Sequence, residues 1–142
     1  MALQQNESAA LIKLSLLVEK GVPVTVITPN ASGTTRVRSL TTNSTATVLK
    51  ATPGNLYGWN IVSNNAAIIY VKIYNKAAAS VNPASDVPIK TLMVPANGSV
   101  YQEPNCIQCS ADTALSFRAV TDFGDTGTTA PATLPIIEFE IV

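Results

Sequence analysis

At 142 residues, with nine basic and nine acidic side chains and no histidine, the chain is the size of one domain and carries no net charge. No basic cluster exceeds Arg36 and Arg38, which excludes nucleic-acid binding through phosphate neutralisation and attraction to an anionic membrane surface. Charged residues make up 13% of the chain and hydrophobic ones 46%, against about 25% charged in ordinary domains, so much of the surface is expected to be covered by a second copy or a partner.

The polar start, Met1 to Ser8, reads as a loose arm with neither the basic region nor the cleavage site of a signal peptide. The apolar stretch from Ala9 to Val18 is broken by Lys13 and Ser15 and falls short of the ~20 residues of a membrane span. From there on, Val, Ile, Thr and Tyr alternate with polar residues at the period of a strand, punctuated by Pro, Gly and Asn. Ile12 to Glu19 fits period two better than a helix, and Val22 to Thr28 follows as a strand whose Pro23 suits an edge. Met1 to Lys20 is therefore an N-terminal arm or first strand, and residues 21–142 form a single domain.

Pro29 to Gly33 is a turn cluster; Thr35 to Leu40 and Ser44 to Ala51 are the next strands. Gly54, after Pro53, suits a turn with positive φ, and Gly58, in mid-strand, marks a bulge or a close backbone approach. Asn55 to Val62 and Ala66 to Asn75, joined by Ser63-Asn64-Asn65, are expected to pair as a hairpin. In the second of these, Ala67, Ile69, Val71 and Ile73 form an aliphatic face for the core. The opposite face, Ile68, Tyr70, Lys72 and Tyr74, is amphipathic and is either a contact surface or the floor beneath a loop. Tyr57 and Trp59 share a face of their strand and either fill the core or form an exposed platform. After a loop from Ala77 to Val87, strands are expected at Ile89 to Val94, Gly98 to Glu103 and Ala114 to Val120. A second loop, Thr121 to Leu134, precedes a final strand, Pro135 to Val142. The pattern predicts an all-β, antiparallel β-sandwich, jelly-roll-like, or a barrel.

The block from Ala51 to Val62, with Pro53-Gly54 and Leu56-Tyr57-Gly58, followed by Tyr70-Val71-Lys72-Ile73-Tyr74-Asn75-Lys76-Ala77 and then Leu92 to Gly98, resembles small structural proteins of tailed phages. These are similar to capsid decoration (cement) proteins and other head or tail accessories. The resemblance covers the middle third of the chain and carries no catalytic motif. It implies a virion protein on the capsid exterior, made in the host cytoplasm, that bridges copies of the major capsid protein as a dimer or trimer. The alternative is a tail or fibre module that binds carbohydrate or receptor, with Tyr57, Trp59 or Tyr101 stacking on sugar rings. Ile68, Tyr70 and Tyr74, with Tyr57 and Trp59, are the candidate interaction residues, and the N-terminal arm is a further contact.

Equipment for chemistry is sparse. Without histidine there is no Ser-His-Asp or Cys-His arrangement and no His-ligated zinc site, and no glycine-rich phosphate loop occurs. Cys106-Ile107-Gln108-Cys109 is half a zinc ribbon at most, so two structural or free thiols is the preferred reading; zinc shared between pairs from two chains is the alternative. Glu138 and Glu140, two strand steps apart, would sit about 7 Å from each other. That is inside the roughly 6.5–9.5 Å of inverting glycosidases, but charges on a solvated face explain them more simply. Asp122 and Asp125 offer oxygen ligands for Ca²⁺ without a fixed spacing. No enzymatic activity and no cofactor are expected.

Overall fold

The computed structural model describes residues 34–104 and 106–142; the N-terminal arm and the strands expected at Ile12 to Glu19 and Val22 to Thr28 lie outside them. Within the described residues there are nine strands: β1 Thr35–Ser39, β2 Thr47–Lys50, β3 Gly54–Val62, β4 Ile69–Asn75, β5 Lys90–Val94, β6 Ser99–Gln102, β7 Cys109–Ala111, β8 Leu115–Val120 and β9 Ile136–Ile141. They pair antiparallel in two sheets, one ordered β1-β9-β3-β6 with β7 also on β3, the other β2-β8-β4-β5. Strands consecutive in sequence thus tend to fall in opposite sheets, which gives the jelly-roll form of an antiparallel sandwich.

The alternation seen in the sequence explains the core. Leu56, Ile61, Ile137, Phe139 and Ile141 face inward from the first sheet and Ile69, Val71, Ile73, Leu92, Val94, Leu115, Phe117 and Ala119 from the second. Phe117 and Phe139 meet between the sheets edge to face, with centroids 5.0 Å apart.

Three expectations are corrected. β3 and β4 do not form a hairpin: β3 pairs with β6, β7 and β9, and β4 with β5 and β8. Ser63 to Ile68 is an arch between the sheets, held to the β5–β6 turn by Ser63 N–H to Gly98 O (2.8 Å) and Asn97 N–H to Asn65 O (2.9 Å). A short polar connection serves a hairpin or an arch equally well, because its side chains bond the turning backbone locally in either case, as Ser63 Oγ does in accepting from Asn65 N–H (3.2 Å), while the long-range partners that make it an arch are not written in the local sequence. Ala67, placed in the core by alternation, sits on this arch and is exposed. Gly54 does not adopt a left-handed backbone; it opens β3, where an added Cβ would lie 2.7 Å from Val142 O.

Gly58 is both a bulge and a close approach. The β3–β9 register shifts between Leu56 and Gly58, and a Cβ there would lie 2.6 Å from Gln102 O and 2.9 Å from Pro104 N. The extra residue breaks the expected pairing of Tyr57 with Trp59: Trp59 stands opposite the buried Phe139, whereas Tyr57 falls in the bulge. β7 was not legible in the sequence; β6 and β7 share one edge of β3, and the Cys-containing connection loops out between them.

Candidate functional site

The outer face of the second sheet is where buried charge, a loop and exposed apolar side chains converge. Cross-strand pairing sets Tyr70 between Val120 and Met93, Lys72 between Arg118 and Thr91, and Tyr74 beside Ser116. The chain after β8 folds back over this face. Lys72 and Arg118 are both 0% exposed although they are adjacent cations. A buried charge is costly unless its donors are satisfied, and the loop supplies the acceptors. Arg118 Nε donates to Tyr74 Oη (2.8 Å), one terminal nitrogen to Gly127 O (2.7 Å) and the other to Asp125 O (3.2 Å). Lys72 Nζ donates to Gly124 O. Burial, and then the neighbouring Arg118 charge, push the Lys72 ammonium below the usual lysine range, with Asp125 and Asp122 opposing. Ser116 Oγ is buried without a partner among the described residues.

The loop is braced internally as well. Asp122 Oδ2 accepts from Thr129 N–H (2.8 Å), Thr121 N–H donates to Thr129 O (2.9 Å) and Gly127 N–H to Gly124 O (2.9 Å). The Thr129 backbone bond, followed by its hydroxyl, holds the Asp122 carboxyl below the usual carboxylate range. So anchored, the loop sets Phe123 edge-on against Tyr70 with centroids 5.4 Å apart. Phe123 is 73% exposed and Met93, beside Tyr70, 57%; Ile68, just ahead of β4, is also exposed. Ile68, Tyr70, Met93 and Phe123 thus offer an apolar surface on a fixed frame.

The amphipathic face expected on β4 therefore divides. Tyr74, named as a contact residue, is 1% exposed, with its hydroxyl taken by Arg118 Nε and with Asp86, Val87 and Ile89 beside it, so it cannot touch a partner; Tyr70 is half-buried and Ile68 exposed. The period-two pattern assigns side chains to a face but not the length of that face which a later loop covers. Met93 and Phe123 were missed. Their only signals are an apolar residue at an outward position of β5 and a lone aromatic in a polar loop.

Tyr57 and Trp59 are half-buried; Trp59 packs against the core, with Lys90 Nζ 5.3 Å from its ring centroid. Glu138 and Glu140 do share the outer face of the first sheet, but each meets an arginine of β1: Arg36 Nε lies 2.7 Å from Glu140 Oε1 and Arg38 Nε 3.3 Å from Glu138 Oε1. The Glu140 contact raises the Arg36 pKa further. Cys106 is exposed and Cys109, which opens β7, half-buried; neither is in a disulfide, and burial pushes the Cys109 thiol up, away from the reactive thiolate. Among the described residues no three His, Cys, Asp or Glu side chains come together as metal ligands. Asp122 and Asp125 lie in the loop that covers Lys72 and Arg118, charges that would repel Ca²⁺.

Fold and surface together define a jelly-roll β-sandwich with one face half roofed by a loop and an apolar patch at the margin of that roof. Comparison with protein-family models, with curated proteins and with solved structures returned no match.

Proposed function

We propose that this chain is a virion structural protein, a capsid decoration or cement protein that stabilises a phage head by bridging subunits of the major capsid protein from the outside. The observation that carries the reading is the patch of Ile68, Tyr70, Met93 and Phe123 on a frame fixed by buried hydrogen bonds. Exposed apolar side chains grouped in this way mark interaction surfaces, and aromatic residues and Met are enriched in them. The low charge of the chain and its resemblance to phage head proteins point the same way. A protein that binds only the assembled shell stabilises it by its own binding free energy, and repetition over a lattice, or within a dimer or trimer, multiplies modest contacts.

The test uses phage particles from which the protein has been deleted. Purified protein should bind them saturably and raise the temperature at which the shells open. Phe123→Glu and Met93→Glu should abolish binding while lowering the stability of the free protein by no more than about 1 kcal/mol, the loss of the Phe123–Tyr70 edge contact, because both side chains are otherwise exposed. Absence of binding, or variants that bind as well as the parent, would refute the reading.

A further inference from the structure

On the opposite side of the molecule, the outer face of the first sheet carries a groove of about 270 Å³, lined by Arg36, Asn60, Tyr101, Pro104, Glu138 and Glu140 among others. Its construction follows from register. Arg38, Glu138, Asn60 and Tyr101 form one cross-strand row over β1, β9, β3 and β6. Glu138 and Tyr101 are two strands apart, about 10 Å at the usual strand spacing, with Asn60 between them. In the next row the Gln102–Pro104 backbone lies directly against Gly58, where a Cβ would come within 2.9 Å of Pro104 N, and this close approach brings Pro104 into the lining of the groove.

The chemistry of the walls is specific. Tyr101 is 66% exposed, an aromatic face standing in solvent at the groove's rim. Asn60 adds a carboxamide, donor and acceptor at once, and the two carboxylates add acceptors. Among the described residues the Arg36–Glu140 contact engages only Nε and Oε1, which leaves the second carboxylate oxygen and the terminal guanidinium nitrogens for a ligand. Arg36, Arg38, Glu138 and Glu140 cancel in charge, so neither an anion nor a cation is favoured. A volume just under the ~300 Å³ at which drug-sized pockets begin suits one small ring. An aromatic wall for an apolar ring face, beside paired donors and acceptors for neighbouring hydroxyls, matches a neutral sugar.

We propose that this groove binds a neutral hexopyranoside, one ring lying over Asn60 between Tyr101 and Glu138. The site shares no residue with the Ile68–Phe123 patch, so it stands or falls independently of the capsid contact.

Saturation-transfer NMR of the full chain with methyl glycosides of glucose, galactose, mannose and N-acetylglucosamine tests it. At least one glycoside should receive transfer, and Tyr101→Ala and Asn60→Ala should each weaken its binding about tenfold or more. Both side chains are exposed, so the urea midpoints of the variants should match the parent, and Phe123→Glu should bind the sugar normally. Transfer to none of the four glycosides, or transfer unchanged in both groove variants, would overturn the site.

Discussion

Replacing Arg118 with Met should loosen the loop over the second sheet, whereas the same replacement at Lys72 should not, although both side chains are completely buried cations on neighbouring strands. Two effects compete at each position. Substituting a buried ion by an apolar side chain of similar volume removes a desolvation penalty and is often neutral or stabilising by about 1–4 kcal/mol. Against that, each hydrogen bond made by a charged donor contributes about 1.5–3 kcal/mol. Arg118 makes three, two of them at 2.8 Å or less, and its loss strands Tyr74 Oη and the carbonyls of Asp125 and Gly127. Lys72 has a single partner, Gly124 O. The bonds should therefore outweigh desolvation at Arg118, with a net loss of about 4 kcal/mol at mid-range values, whereas Lys72→Met, with one bond to lose, should be neutral or stabilising by about 1 kcal/mol. Urea denaturation gives the two free energies, and limited proteolysis within 121–134 reports the loop, which should be cut faster only in Arg118→Met. Equal losses in the two variants, or a larger loss at Lys72, would refute the claim that loop anchorage runs through the guanidinium.

Three further outcomes follow from the same geometry. Because Lys72 has a lowered pKa when folded, the unfolded chain binds the extra proton more readily. Stability should then rise with pH from the folded pKa up to the unfolded value near 10.4, and Lys72→Met should remove that rise, as urea midpoints across the alkaline range will show. Gly58→Ala should cost about 1–3 kcal/mol in the same denaturation assay, because the new methyl meets backbone atoms of Gln102 and Pro104 that cannot swing aside. Phe139→Ala should cost about 3–5 kcal/mol and lower the thermal midpoint accordingly, since it removes both the inward ring of β9 and its edge-to-face contact with Phe117.

Much of the fold was legible in the alternation. Ile69, Val71 and Ile73 on one strand and Ile137, Phe139 and Ile141 on another share a buried face because a strand's side chains alternate strictly, and the bulge at Gly58 was marked by a glycine in mid-strand. The link between β3 and β4 was misread, since Ser63-Asn64-Asn65 would suit a turn within a sheet or an arch between two. The three residues of β7 are too short a run for periodicity to register. The site was less legible still. Lys72 was placed on the amphipathic face of its strand and Arg118 was not singled out, because the burial of both depends on a loop whose path local sequence does not encode. Glu138 and Glu140 were placed on the correct face, but their arginine partners on β1 come from about a hundred residues upstream, a separation no local pattern spans.

The most direct measurement is a count of this protein per purified phage particle by quantitative mass spectrometry. A cement role requires hundreds of copies in fixed ratio to the major capsid protein; a handful of copies per particle, or none, would contradict it.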